Sequence, residues 1–202
     1  MDFNLGVILE NALYLLALLN PASKVMFLSA YDPPLRGKDV LELAWKSSLA
    51  ALLILLFLAW AGEVVLSGVF RVELYSLRIS GGVVLFYIGW NAIQEGRFGR
   101  KQDLQTHDFT EISLVPLAAP LIAGPGTIAA AITGTAESGW AATAIALFLA
   151  ISANFMVMLF SNPINRFLVR THFLGPLIRV TGLVIATVAV QMVITGLREC
   201  RL

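Results

Sequence analysis

Two short motifs interrupt apolar runs that are long enough to sit in a lipid bilayer. Asn20-Pro21 lies near the middle of residues 14–31, and Gly124-Pro125-Gly126 lies in the corresponding place within residues 115–133. Proline lacks an N–H group, crowds the carbonyl four residues earlier and disfavours the helical conformation in the residue before it. Asn and Gly are accepted N-cap residues, and proline is favoured at the first position of a helix. Each motif therefore predicts that one helix ends and another begins in mid-membrane.

A helix that restarts in mid-membrane exposes backbone groups that a continuous helix does not. Its first N–H groups carry partial positive charge and suit a carboxylate, while the carbonyl groups of residues 17–19 and 121–123 suit an ammonium group or Na⁺. Such a dipolar site fits a zwitterion, and the small residues around it favour a small amino acid. The alternative is a pair of kinks that serve packing only, but the matched positions favour a functional site. We expect substrate to bind at Asn20, Pro21, Ala22, Ser23, Gly124, Pro125, Gly126 and Thr127.

The composition is that of a membrane protein. Of the 202 residues, 58% are hydrophobic and 13% are charged, whereas a soluble domain has about 25% charged residues. The net charge of +1 gives no reason to expect a nucleic-acid partner. The single cysteine, Cys200, excludes an intramolecular disulfide, and no cofactor or metal site is indicated.

The apolar runs predict an all-α, polytopic membrane protein with six transmembrane helices and the lipid bilayer as its partner. Asp108 and Glu111 resemble a capping box at the start of the fourth helix. The predicted spans are residues 5–30, 44–67, 74–95, 112–134, 140–161 and 177–197.

The distribution of Lys and Arg predicts the orientation of the chain in the cell (inner or plasma) membrane. Nine of them lie in or beside the first, third and fifth loops, and four lie on the opposite side. By the positive-inside rule the side with nine is cytoplasmic, so both termini are expected on the extracytoplasmic side.

The two halves of the single membrane domain, 1–202, resemble each other beyond the two breaks. "RISGGV" opens the third span at Arg78 and "RVTGLV" opens the sixth at Arg179, 101 residues later, while Pro125 follows Pro21 by 104 residues. These matches predict a three-helix repeat, residues 1–97 and 108–202. Because each repeat has an odd number of spans, the copies are inverted, and a 3+3 inverted repeat with broken helices 1 and 4 is typical of secondary transporters.

Several other polar residues lie inside the apolar spans. Lys24 follows the first break, where it either serves the site or extends its long stem to the membrane surface. Glu63 either pairs with Arg71 or Arg78, which we favour, or carries a coupled proton. Most polar groups in spans join helices by hydrogen bonds, so a coupling or supporting role is open for Asn91, Asn154 and Gln191. The chain has no catalytic motif, and we do not expect an enzyme.

The sequence resembles the MarC family of six-span inner-membrane proteins. The matching stretches are "NPASK" and "FLSA" in residues 20–30, "LRISGGVVLFYIGW" from Leu77, "VPLAAPLIAGPGTIA" from Val115 and "RVTGLVIATVAVQMVITG" from Arg179. Some members are described as transporters of glycine and alanine with a proton gradient implicated, so the resemblance implies the same substrate class. The family motifs map onto Asn20-Pro21 and Gly124-Pro125-Gly126. Lys24 departs from the family pattern, which would place a small or polar residue there.

The sequence therefore predicts a secondary active transporter of small neutral amino acids that works by alternating access. The resemblance implies H⁺ as the coupling ion, and Na⁺ bound by backbone carbonyls is the alternative. Three other readings remain open: a passive channel, an exporter of another small solute or drug, and a membrane scaffold that transports nothing.

Overall fold

The computed structural model describes residues 5–29, 35–69, 71–96, 118 and 122–200. Within these ranges the chain forms eight α-helices, one π-helix (Val64–Val69) and no β-strand, which confirms the all-α class. The α-helices are α1 (Leu5–Leu19), α2 (Pro21–Ser29), α3 (Gly37–Glu63), α4 (Leu74–Glu95), α5 (Pro125–Ser138), α6 (Trp140–Leu159), α7 (Ser161–Arg170) and α8 (Leu174–Glu199).

Four helical segments are long and apolar enough to cross a membrane. They are Leu5–Ser29, Gly37–Gly62, Trp140–Leu159 and Leu174–Glu199. The predicted third span is the helix α4, which has the expected bounds. Its serines, glycines and Arg78 lower its mean hydropathy, and it is not one of these four segments. The helix α5 has 14 residues, which is about 21 Å at 1.5 Å per residue. Residues 112–117 of the predicted fourth span lie outside the described residues, and so does the predicted Asp108–Glu111 capping box. The count of six spans stays a prediction.

The predicted start of the second span is wrong, because apolar character marks the lipid-buried part of a helix and not its ends. The helix α3 begins at Gly37, seven residues before the predicted start of the second span. The N–H of Arg36 donates to the Asp39 carboxylate at 3.1 Å, which satisfies a backbone donor just before the first turn. The helix α6 ends at Leu159, two residues early, because Phe160 leaves the helical conformation with φ −91° and ψ 12°.

The outer surface of the helices is covered with large apolar side chains. Leu13, Phe57, Trp60, Phe148 and Leu183 are each more than half exposed. A soluble protein rarely exposes so much contiguous apolar surface, so these side chains contact the hydrocarbon of a bilayer. The described helices are membrane-embedded.

The most extensive helix pair is α4 with α8, which run antiparallel in close contact. A Cβ on Gly82 would lie 2.8 Å from the Ala189 carbonyl oxygen, and one on Gly89 would lie 2.7 Å from the Gly182 carbonyl oxygen. At the far end of the pair, a Cβ on Gly196 would lie 2.9 Å from the backbone of Tyr75. Glycine is required at these positions because the two backbones touch, as small residues allow in membrane helix pairs.

The remaining helices pack around a core of alanine, leucine and isoleucine. The helix α6 contacts α1 and α3, and α5 contacts α3 and α4. The short helix α2 packs against α7 and the end of α6. The ends of α1 and α2, where the first break lies, are therefore enclosed by protein.

Candidate functional site

The first predicted break is confirmed: α1 ends at Leu19 and α2 begins at Pro21. Asn20 joins them with a φ of 49°, in the left-handed region that Asn enters more readily than most residues. Its N–H donates to the carbonyls of Leu16 at 3.1 Å and Ala17 at 3.2 Å. Part of the carbonyl end of α1 is therefore occupied by the chain itself.

The start of α2 is also satisfied internally. The N–H of Ser23 donates to the Asn20 carbonyl at 3.1 Å, and the Ser23 hydroxyl donates to the same oxygen at 2.7 Å. We expected the Ser23 N–H to be free for a carboxylate, and in this conformation that expectation is wrong. The backbone carbonyl of Asn20 accepts the bonds because the left-handed turn points it at the first turn of α2.

Lys24 is buried in the protein, with 1% of its surface exposed. Its Nζ donates to the carbonyl of Leu19, across the break. Extension of Lys24 to the membrane surface, one of our two expectations, is therefore wrong. The ammonium group lies where we expected the ammonium of a ligand, or Na⁺, to meet the end of α1.

The second predicted break is confirmed at its C-terminal side, where α5 begins at Pro125 with Gly124 as N-cap. Gly124 is extended, with φ −80° and ψ 167°, and its carbonyl accepts from the Ile128 N–H at 2.9 Å. Before the break, the Ala123 N–H donates to the Ala118 carbonyl at 2.8 Å. A Cβ on Gly126 would lie 2.3 Å from Cδ1 of Leu85, so this break is pressed against α4.

The predicted binding residues differ in their burial and in their surroundings. Asn20, Ser23 and Thr127 are buried, and Ala22 lines a separate apolar cavity of about 160 Å³ between α2, α6, α7 and α8. At the breaks, α2 and α5 both pack against other helices. These contacts could not be read from sequence, because they depend on how the helices pack.

The residues for which a coupling or supporting role was open lie on different helices. Asn154 is fully buried, with Nδ2 donating to the Met158 sulfur at 3.3 Å and Oδ1 without a hydrogen-bond partner. Asn91 is half-buried on α4, while Gln191 is exposed on α8 and donates to the Thr195 hydroxyl at 3.3 Å. The side chain of Glu63 lies outside the described residues.

A cavity of about 220 Å³, lined by both polar and apolar side chains, lies between α1, α4, α5, α6 and α8. Its lining includes Asn11, Tyr14, Arg78, Thr133, Thr143 and Gln191. On α5 it begins at Ala130, five residues after Pro125, which is about 8 Å along the helix. Apart from Gln191, none of the predicted site residues lines this cavity.

Arg78 is the charged centre of this cavity and is 7% exposed. Its Nη2 donates to Glu137 of α5 at 2.6 Å, and its Nη1 donates to Glu199 of α8 at 2.5 Å. Arg78 thus ties α4 to two other helices. The pairing of Glu63 with Arg71 or Arg78 stays a prediction. The sequence did not indicate Glu137 and Glu199 as partners of Arg78, because these residues lie on helices far apart in sequence and meet only after folding.

The structure describes an α-helical, membrane-embedded protein with a helix interrupted at Asn20, another helix that begins at Pro125, and a cavity of about 220 Å³ beside Arg78. No solved structure matches the chain. The model of the MarC family integral membrane proteins matches residues 5–201, and the chain belongs to this family.

Relatives cover almost the whole chain. A UPF0056 membrane protein of Pyrococcus horikoshii is 35% identical over 189 residues, 94% of this chain and 92% of the relative. One from Methanocaldococcus jannaschii is 31% identical over 209 residues, 98% of each chain. The inner membrane protein YhgN of Escherichia coli is 30% identical over 197 residues, 95% of this chain and 96% of the relative. These names state membrane location and assign no substrate.

Proposed function

We propose that this protein is a secondary active transporter of small neutral amino acids, of the size of glycine and alanine, in the cell membrane. The observation that carries the proposal is the pair of helices that begin at Pro21 and Pro125, each beside buried residues of the break, Asn20 and Ser23 at the first and Gly126 and Thr127 at the second. Interrupted helices of this kind form substrate and ion sites near the bilayer midplane in many secondary transporters. A protein that served only as a scaffold would gain nothing from breaking two of its helices.

The helix contacts support a 3+3 inverted repeat. The first helix of one half packs on the second helix of the other half in both directions, because α1 contacts α6 and α5 contacts α3. The third helices of the two halves, α4 and α8, pair antiparallel through backbone contacts at Gly82, Gly89 and Gly182. A two-fold relation in the membrane plane accounts for both observations. Alternating access would then be the rocking of one repeat against the other around the breaks.

The chemistry at the breaks favours a small solute with a carboxylate. The N-termini of α2 and α5 supply partial positive charge. The residues there are small, and Gly126 already touches Leu85, so a bulky ligand would need a large rearrangement. The cavity beside Arg78, which does not include the break residues, has about 220 Å³ and is also below the roughly 300–1,000 Å³ of pockets for drug-sized ligands. These sizes favour glycine or alanine over a drug.

Lys24 favours H⁺ over Na⁺ as the coupling ion. Its ammonium group lies against the Leu19 carbonyl, a position that a Na⁺ ion at the end of α1 would need. In this proposal the Lys24 ammonium group, which can release a proton, takes the position of Na⁺ at the carbonyl end of α1. The excess of Lys and Arg in the first, third and fifth loops supports a cytoplasmic position for those loops, with both termini outside.

Counterflow in proteoliposomes tests the proposal. Vesicles are loaded with unlabelled glycine or alanine, and entry of the labelled amino acid is followed without an imposed gradient. We expect saturable, transient accumulation of glycine and alanine, and none of leucine or glutamate. Equilibration without accumulation would indicate a channel instead. Absence of any entry, with protein that is monodisperse and folded, would contradict the proposal.

A further inference from the structure

We propose that the cavity beside Arg78 is a second binding site, for the carboxylate and ammonium groups of a small zwitterion. The site is separate from the breaks, since its lining on α5 starts five residues beyond Pro125. On α1 it uses Asn11, Tyr14 and Leu15, which precede Asn20. The cavity thus lies to one side of both breaks, as a vestibule would. The choice of an amino acid as ligand rests on the proposed function.

Arg78 can bind a carboxylate while it keeps its two ion pairs. A guanidinium group has five N–H donors, and the bonds to Glu137 and Glu199 use one donor on each terminal nitrogen. The remaining donors are held near the cavity by a side chain that is almost completely buried. Arg presents these donors in a planar fork that matches a carboxylate.

The carboxylates that pair with Arg78 can also accept hydrogen bonds from the ammonium group of the ligand. Arg78, Glu137 and Glu199 together formally carry one positive and two negative charges, so one further positive charge would make the group neutral. Glu137 has 58% of its side chain exposed and also lines the cavity. One of its oxygens is bonded to Arg78, which leaves further acceptor capacity on the carboxylate for an ammonium group.

Thr143 provides an independent sign that the cavity has a polar occupant. It lines the cavity and is 2% exposed, and its hydroxyl has no hydrogen-bond partner in the structure. A buried hydroxyl without a partner costs free energy, so it is normally satisfied. The hydroxyl lies beside Gly134, where an added Cβ would be 3.5 Å from the Thr143 Oγ1.

The competing explanation is that Arg78 only ties α4, α5 and α8 together. It predicts that removal of Arg78 lowers stability and leaves ligand binding unchanged in the folded protein. It also predicts that Thr143→Val leaves binding unchanged and raises stability slightly, because an unsatisfied hydroxyl is lost. The binding proposal predicts a loss of affinity in both variants.

The test is equilibrium binding to the full-length protein in lipid nanodiscs by titration calorimetry. The probes are glycine, acetate (the carboxylate alone) and methylammonium (the cation alone). We expect glycine to bind at least about tenfold more tightly than either fragment, since it makes both charge-assisted contacts. The same titration in the Pro125→Ala protein reports the cavity alone, because that variant is expected to lose the site at the breaks.

The decisive variants are Arg78→Gln and Thr143→Val in the Pro125→Ala protein. We expect the glycine affinity to fall about tenfold or more in the first and about threefold to tenfold in the second. Arg198→Gln is the matched control for charge, since Arg198 is exposed beside Glu199, and Thr187→Val is the control for the hydroxyl. Neither control should change the affinity.

Unchanged glycine affinity in both folded variants would overturn the proposal, and so would fragments that bind as tightly as glycine. This result is distinct from failure of the proposed function. Counterflow that persists while Arg78→Gln leaves binding unchanged refutes the second site only. Glycine binding that depends on Arg78 without any counterflow supports the second site and refutes the transporter.

Discussion

The two breaks resemble each other in sequence but satisfy their polar groups in different ways. At the first break, Asn20 adopts a left-handed conformation and Lys24 donates to the Leu19 carbonyl. At the second, Gly124 is extended, and Gly126 is pressed against Leu85. The residue that matches Lys24 at the offset of 104 residues is Ile128. One break therefore carries its own cation, and the other relies on apolar contact.

This difference indicates a division of labour between the two breaks. With Lys24 bound to the end of α1, the carbonyls there are less available for the ammonium group of a substrate. The breaks would then bind only the carboxylate of the substrate, through the backbone N–H groups at the start of each helix. Under the proposals above, the first break couples an ion and the second break opens to substrate. The predictions that follow are ordered from the largest expected effect to the smallest.

The largest effect is expected from Pro125→Ala. The change restores an N–H at residue 125 and frees Gly124 to become helical, so the second break can close into a continuous helix. We expect counterflow of glycine to fall to the level of empty vesicles, with the protein still folded. Pro163→Ala, in the first turn of α7, is the matched control and should transport normally. Normal counterflow in Pro125→Ala would show that the second break is not needed.

Replacement of Lys24 by Met tests the role of the first break. We expect counterflow to fall about 10- to 100-fold, which corresponds to loss of one charge-assisted hydrogen bond. The thermal stability should stay the same or rise, because apolar replacement of a buried charge is often neutral or stabilising. Lys46→Met removes an exposed lysine that pairs with Glu42 at 2.6 Å and should change neither measurement. Equal counterflow in both variants would remove Lys24 from the mechanism.

Gly126→Ala makes the second break resemble the first, where Ala22 occupies the matching position. A Cβ on Gly126 would lie 2.3 Å from the Leu85 side chain, and such overpacking costs roughly 1–2 kcal/mol of unfolding free energy. The cost should shrink in a Leu85→Ala background, which a double-mutant cycle in detergent unfolding measures. Gly175→Ala, with nothing within 4 Å, is the control. The same cost in both backgrounds would place the strain elsewhere.

The smallest effect is expected at Asn20. Because its φ is 49°, Asn20→Gly should be tolerated, whereas Asn20→Ala should lower the free energy of unfolding by about 1 kcal/mol. Asn91 lies inside α4, so the order should reverse there, with Ala better than Gly by about 1 kcal/mol. The four variants are compared in one series of unfolding measurements. The same order at both sites would mean that the left-handed turn does not limit stability.

Much of the architecture could be predicted from the order of residues. The apolar runs placed the helices that cross the membrane, and the Pro-containing motifs placed both restarts at the residues where α2 and α5 begin. These features are local, because a proline acts on its own backbone and a span is set by its own side chains. The bounds of α3 and α6 were less accurate, since helix ends depend on caps and turns and not on apolar character.

The sequence by itself determined that this chain is an all-α membrane protein with an interruption at Asn20-Pro21 and a helix start at Pro125, because composition and proline geometry act within a few residues. Only the tertiary structure decided what surrounds these two positions. Lys24 turns back to Leu19 since packing closes off its route to the surface, and Arg78 gathers Glu137 and Glu199 from helices 59 and 121 residues away. Contacts over such separations depend on how the helices pack, which no local pattern encodes.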